Sequence, residues 1–266
     1  MIYNAYFGFA HPPFRRDLPS QELFGAPRLD ELHSRLQYLV QTRAVGLLTG
    51  EPGCGKSTAL RRLRDQLHPD QVRTLYLCDT AVPAVDFCRQ IALELGLEPP
   101  HSRAMNLRSI QQEITRLAHE RHLTVLLLVD EAHALRSDVL ALLPLLTNFE
   151  LDSTARLALL LVGQSGLRQK LRLAHLESLA QRITVRFALA GFERQTTRLY
   201  LEHRLRTAGI DRPLFTEPAV EALHNASQGI MRRIDTLGHH ALAVAATEKT
   251  RLVEPQHVVQ AAEELR

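Results

Sequence analysis

The sequence predicts an α/β chain: a parallel five-stranded sheet with helices on both faces, followed by a small all-helical domain. Three observations predict it. Strand-length apolar runs alternate with helix-length periodic segments as far as Leu189, the pattern of repeated βα units. The first run, Ala44 to Leu48, leads into Gly50-Glu51-Pro52-Gly53-Cys54-Gly55-Lys56-Ser57 and then a helical pattern. After Gly191 the strands stop and only helical segments follow.

The elements follow in order. Residues 1–27 are rich in aromatics and prolines, among them Tyr3, Phe7, Phe9, Pro12, Pro13, Phe14, Pro19 and Pro27. The prolines forbid a long helix, so an extended arm on a domain surface is expected. Leu29, Leu32, Leu36, Leu39 and Val40 recur at helical period. The strand before the glycine-rich turn comes next, then a helix over 57–67. Arg73 to Cys78 reads as a strand, and Val85 to Leu95 and Leu107 to Glu120 as helices. Leu123 to Val129 is a continuous apolar run, the sign of a central parallel strand. Ser137 to Phe149 is helical, Leu157 to Gly163 a buried strand, Leu167 to Leu179 helical and Thr184 to Leu189 a short last strand. Beyond it, 193–208, 217–227, 230–247 and 255–264 read as helices. The expected division is an arm over 1–27, a nucleotide-binding core over 28–190 and a helical domain over 191–266.

The octet matches G-x-x-x-x-G-K-[ST] in the context such a loop requires, strand before and helix after. Glycines let backbone N–H groups close around phosphate oxygens, and the following helix aims its positive end at the same anion. Gly50, Glu51, Pro52, Gly53, Cys54, Gly55, Lys56, Ser57 and Thr58 are therefore the expected phosphate-binding residues. Lys56 is placed to reach the β- and γ-phosphates, and the Ser57 hydroxyl to ligate Mg²⁺. The loop therefore predicts a nucleoside triphosphate with Mg²⁺.

Val125 to Val129 ends in Asp130-Glu131. A carboxylate at the end of the strand beside the phosphate loop holds Mg²⁺, directly or through water, and the next acid polarises the attacking water. Asp130 takes the first role and Glu131, as general base, the second. Ala132 and His133 complete the letters of a D-E-A-H helicase box, but such helicases need two tandem motor domains, and this length holds one. His133 is expected to start the next helix or touch the sheet edge. Gln164, at the end of Leu157 to Gly163, stands where an amide contacts the γ-phosphate or the attacking water. A helix cap explains it equally well. Arg182 precedes the last strand and Arg232 opens a long helix.

Composition narrows the setting. Apolar residues make up 45% and charged residues 23% of the 266, ordinary for a globular protein. No apolar run approaches a membrane span and no secretory leader opens the sequence, so the cytoplasm is expected. Cys54, Cys78 and Cys88 lack metal-ligand spacing and are too few for a disulfide framework. The net charge of +3 does not argue for nucleic acid, although residues 151–212 carry eleven basic against five acidic side chains. All but Lys56, Lys170 and Lys249 of the cations other than histidine are arginine. Arginine suits phosphate contacts and subunit interfaces, and codon bias in a GC-rich genome accounts for it as well.

Taken in order, the phosphate loop, the Asp-Glu strand end, the strand-end polar residue, the arginine before the last strand and the helical domain with Gly229-Ile230-Met231-Arg232 resemble an AAA+ ATPase. Tyr6-Phe7-Gly8-Phe9, Pro12-Pro13-Phe14, Leu48-Thr49-Gly50-Glu51, Val129-Asp130-Glu131-Ala132-His133, Leu161-Val162-Gly163-Gln164 and Gln181-Arg182-Ile183-Thr184-Val185-Arg186 narrow the resemblance to the ExeA-like (general secretion pathway A type) branch, over essentially the whole chain. His133 stands where the family often has glutamine, and Met231 where proline is frequent. The resemblance implies that Gln164 is sensor 1, that Arg182 is the arginine finger entering a neighbouring subunit's site and that Arg232 is sensor 2, with Arg186 and Arg233 as fallbacks for the last two. It also implies a homo-oligomer, as a ring or a helical filament.

Two roles divide the branch. Secretion ATPases continue past the helical domain into a membrane span and a peptidoglycan-binding region, acting on membrane or cell-wall partners. Short stand-alone members look like transposition-regulating target-selection ATPases of the Mu B-like and Tn-type transposon kind. A sequence that stops at Arg266 favours the second. Its expected partners are double-stranded DNA, a transposase and a target-selection adaptor, with no membrane. A third class, a module holding ATP as a structural ligand, is separated from both by Glu131→Gln.

Overall fold

The computed structural model describes residues 2–265. Its elements run α1 (Ile2–Phe7), α2 (Pro27–Thr42), β1 (Val45–Gly50), α3 (Lys56–Gln66), β2 (Val72–Leu77), α4 (Ala84–Glu94), α5 (Arg103–Glu120), β3 (Thr124–Val129), α6 (Ser137–Leu146), β4 (Leu157–Gly163), α7 (Gly166–Lys170), α8 (Glu177–Arg182), β5 (Ile183–Leu189), α9 (Arg194–Thr207), α10 (Glu217–Ser227), α11 (Met231–Thr247) and α12 (Pro255–Glu264), with short 3-10 turns between some of them. The chain forms two compact units. One holds Arg28–Pro52 and Lys56–Leu189; the other holds the described residues up to Pro27, the short stretch Gly53–Gly55, and the chain from Ala190 on.

In the first unit the five strands are all parallel and lie in the order β2-β3-β4-β1-β5. Burial follows that order. β1, β3 and β4 occupy the interior and are buried almost throughout, whereas the edge strands β2 and β5 alternate buried and exposed positions. Leu127, Val129, Leu159 and Leu161 point into a core with Phe87 and Ile91 of α4, Ile110 and Ile114 of α5, and the apolar face of α6. Successive strand residues face opposite ways, so Leu48, Leu126, Leu128 and Leu160 serve the other layer. There Leu39 of α2 packs on Gly46, with Leu32, Leu36, Leu60 and Leu63 buried.

Three expectations are corrected in this unit. The strand carrying Asp130 does not lie beside the phosphate-loop strand, because β4 is inserted between β3 and β1. The helix expected over 167–179 is two short helices and a 3-10 turn, and the one expected to reach Phe149 stops at Leu146.

The second unit is helical. Its core joins Tyr200, Leu201 and Leu205 of α9, Leu223 of α10, Ile234, Ala241 and Leu242 of α11, and Val258 and Ala261 of α12. Tyr3, Phe7, Phe9 and Phe14 belong to the same core. The opening segment is thus not an extended arm: no proline precedes Pro12, and Tyr3 and Phe7, four residues apart, share the buried face of α1. Buried Arg204 holds the segment behind it, donating to the carbonyls of Pro13 and Arg15 at 2.8 and 2.6 Å. Among the described residues no helix is long and apolar enough to cross a membrane.

Candidate functional site

A parallel sheet brings the C-terminal ends of its strands to one edge, and ligands of open α/β sheets bind there. β1 ends at Gly50, β3 at Val129 and β4 at Gly163; Thr49 pairs with Gly163, and Val129 with Leu161. Topology thus gathers Gly50, Glu51, Lys56, Asp130, Glu131 and Gln164 along that edge.

Lys56 opens α3 with its side chain almost wholly buried, and its ammonium donates to the carbonyls of Gly50 at 2.8 Å and Glu51 at 3.0 Å. An ammonium carries three N–H donors, so the loop holds its own lysine and leaves it bonding capacity. Glu51 is tied in turn to the end of β4 by the Ser165 hydroxyl, which donates to Oε1 at 2.9 Å.

The turn Gly53–Gly55 clusters with the helical unit. Gly53 has φ +84° and Gly55 φ +103°, a region L-residues avoid. A Cβ on Gly53 would meet Cβ of Arg232 at 2.6 Å, and the Arg232 N–H donates to the Gly53 carbonyl at 3.1 Å. Glycine is required there by conformation and by close approach together. Cys54 is buried, in keeping with a small residue that fits.

Asp130 is buried and held on both oxygens. Oδ1 accepts the Glu131 N–H at 2.9 Å, and Oδ2 accepts the Tyr76 hydroxyl at 3.1 Å. Burial and then the Asp130 carboxylate push the Tyr76 phenol up to about 12, so it stays protonated and keeps donating. Each carboxylate oxygen has two lone pairs, which leaves Asp130 free to accept further bonds. Glu131 is left-handed at φ 51°, its carbonyl accepts the buried Thr80 hydroxyl at 3.0 Å, and its carboxylate is half exposed. His133 Nδ1 lies 3.3 Å from Glu131 Oε2, and its backbone N stands 3.0 Å from where a Cβ on Gly163 would be. His133 therefore lies against the end of β4, in a 3-10 turn, and Lys170 donates to its carbonyl at 3.4 Å.

A glycine-lined loop with an ammonium at its mouth suits a triphosphate. The Ser57 hydroxyl and the Asp130 carboxylate are hard oxygen donors of the kind Mg²⁺ takes, so the residues present fit both groups.

Arg182 is not gathered to this edge. It ends α8 immediately before Ile183, and Ile183 pairs with Val45, the first residue of β1. From there to the Gly50–Leu189 pair is the length of the strand, roughly 17 Å at the rise of a β-strand. Arg182 instead pairs with Asp152 in the turn before β4. Arg186 lies on β5, in register with Leu47, and donates to the Ala180 carbonyl. Tyr76 and Thr80 did not stand out in the sequence: the Tyr76 contact depends on the pairing of β2 with β3, and Thr80 follows β2 in a segment with no motif.

Comparisons with known proteins bear on the family and the fold. The family model described as an AAA domain matches residues 38–171, half of the chain. The chain is 35% identical over 250 residues to the general secretion pathway protein A of Aeromonas hydrophila, a match that covers 92% of this chain and 45% of that protein. It therefore spans less than half the length of that relative. In fold it is similar to Cdc6p from Pyrobaculum aerophilum, with a TM-score of 0.71 and 19% identity over 95% of this chain and 70% of that one. Drosophila ORC bound to DNA gives a TM-score of 0.69 and 19% identity over 100% of this chain and 66% of that one. The RuvB Holliday junction branch migration motor of Thermotoga maritima gives 0.59 and 18% over 96% and 74%. This chain belongs to the family of AAA ATPases and is related within it to the general secretion pathway A protein.

Proposed function

We propose that the chain is an ATP-driven assembly switch, in which identical copies join when ATP is bound and part when it is hydrolysed. The observation that carries this reading is the placement of Lys56 and Arg182 at opposite ends of the same sheet. An arginine so placed serves a neighbour's triphosphate, not its own.

Each side chain then has a part. Lys56 exchanges the carbonyls of Gly50 and Glu51 for phosphate oxygens, and the N–H groups of Gly53 to Ser57 close around them. Ser57 and Asp130 would hold Mg²⁺, with Tyr76 fixing the Asp130 carboxylate. The metal, when bound, neutralises charge on the β- and γ-phosphates. Glu131 takes the proton of the attacking water, and Gln164 orients that water or the γ-phosphate. Arg232, whose N–H already grips Gly53, supplies a cation to the phosphates. Arg182 of the adjoining copy stabilises the charge that develops in the transition state. Chemistry thus requires the seam between copies, and its completion removes the ligand that held the seam.

The assembly's partner in this reading is double-stranded DNA, with a transposase and a target-selection adaptor recruited to it: an ATP-dependent, DNA-binding regulator of transposition. Within the basic stretch 151–212, Arg156, Arg182 and Arg204 are committed elsewhere, but the exposed Arg168, Arg172 and Arg212 support it, since guanidinium contacts to phosphates are sequence-tolerant and salt-dependent. A second reading, a secretion-pathway ATPase acting on a membrane or cell-wall partner, is favoured by the 35% identity to the general secretion pathway protein. Gel shifts of duplex DNA with ATP, ADP and a non-hydrolysable analogue decide between them. Binding that appears with ATP or the analogue and disappears with ADP supports the DNA reading. No shift with any nucleotide, at low salt, removes it in favour of the second.

A further inference from the structure

The turn before β4 has features the proposal above leaves unused. Glu150, Leu151 and Asp152 are consecutive residues in the left-handed region, at φ 50°, 58° and 67°, and none is glycine. Such a conformation persists only where its surroundings enforce it, and it concentrates at functional sites. Both flanks enforce it here. Glu150 accepts from the Thr154 hydroxyl and pairs with buried Arg156, while Asp152 pairs with Arg182. The side chain lifted at the centre is Leu151, 98% exposed. Single exposed leucines are common, but a leucine raised wholly into water by a strained and doubly tethered turn is not explained by connecting α6 to β4.

We propose that this turn docks the arginine face onto a second copy of the chain: Leu151 seats against that copy, and Asp152 is a positioning residue that holds Arg182 toward that copy's triphosphate. The inference rests on Arg182 acting across subunits. The occupant is a second copy because the turn is bonded to the residue that a second copy needs. Asp152 grips a guanidinium lying a strand's length from its own phosphate loop, and Leu151 is adjacent to Asp152 in the chain.

Mixing variants of the chain tests both layers. Arg182→Ala keeps an intact nucleotide pocket, and Lys56→Ala keeps an intact arginine face, so each is inactive alone and their mixture is expected to regain ATPase activity. Adding Leu151→Ser to the Lys56→Ala partner is expected to lower that recovered activity about tenfold at limiting protein, the factor expected for one leucine anchor. Adding it to the Arg182→Ala partner is expected to leave the recovery intact, because that copy contributes only its pocket. Failure of the simple mixture to recover overturns action across subunits, and the docking role with it. Recovery that ignores Leu151→Ser on either partner, or suffers equally from both, overturns the docking role alone. For Asp152→Asn, the expectation is a several-fold lower kcat at unchanged half-saturating ATP, restored by Asp152→Glu; an unchanged kcat overturns the positioning role. Leu151 is in water in the isolated chain, so its loss removes no packing there.

Discussion

Buried polar side chains occur in both units, and they differ in what is left over once their bonds are counted. In the sheet unit Lys56 opens the helix after β1 and Asp130 follows the end of β3, and each keeps bonding capacity beyond its contacts within the protein. In the helical unit the buried groups are committed to structure. Arg204 joins the carbonyls of Pro13 and Arg15 to the Tyr200 hydroxyl, which donates to Asp235 at 2.8 Å. The His257 ring accepts the Glu254 N–H at Nδ1, which leaves Nε2 to donate to Glu248. Burial of a charge therefore points to chemistry only where topology leaves it something to bind.

Substitutions test that contrast, from the largest expected effect downward. Arg182→Ala is expected to lower kcat by about 10³-fold or more while nucleotide binding changes within a few-fold, read by steady-state turnover beside a fluorescent-nucleotide titration. An equal loss of binding would place Arg182 in the scaffold. Glu131→Gln is expected to lower turnover by about 10²-fold or more and to prolong the ATP-bound assembly, measured by sizing after ATP addition. Unchanged hydrolysis and unchanged lifetime would instead mark ATP as a structural ligand.

The buried Arg204–Tyr200–Asp235 network of the helical unit should answer in stability and not in turnover. Burial pushes the Asp235 carboxyl up to about 6, against the pull of Arg204, from near 3.9 in an unfolded chain. The folded state thus binds the proton more tightly. Below about pH 4 the group costs nothing; the cost grows as pH rises and is complete above about pH 6, on the order of 3 kcal/mol. Asp235→Asn is expected to raise Tm by roughly 5–10 °C at pH 7.5 and hardly at all at pH 4, with ATPase activity retained. A variant that melts as before but no longer hydrolyses ATP would break the contrast. The smallest effect expected is that of Tyr76→Phe, which removes one hydrogen bond to Asp130, about 1 kcal/mol, and so raises the Mg²⁺ concentration for half-maximal turnover about fivefold. No change there would show that the hydroxyl does not fix the carboxylate.

The strands, and the loop from Gly50 to Ser57, were legible because continuous apolar runs and a glycine pattern are local signals. Their order in space was not. Nothing in Leu157 to Gly163 says that it inserts between the strands of Lys56 and Asp130, since hydrophobicity reports burial and not neighbours. Tyr76 was missed for the same reason: it reaches Asp130 only through the pairing of Tyr76 with Leu128. The left-handed turn at Glu150-Leu151-Asp152 contains no glycine or asparagine to announce it, and is imposed by ion pairs with residues up to thirty positions away. The opening helix is legible in the spacing of Tyr3 and Phe7, since the prolines that forbid a long helix begin only at Pro12.

The proposed site is completed across a seam between copies, and specific ATPase activity as a function of protein concentration tests that most directly. The prediction is activity per subunit that climbs with concentration to a plateau, and that stays near background for Arg182→Ala at every concentration. Full activity per subunit at the lowest concentrations, the same with and without Arg182, would contradict it.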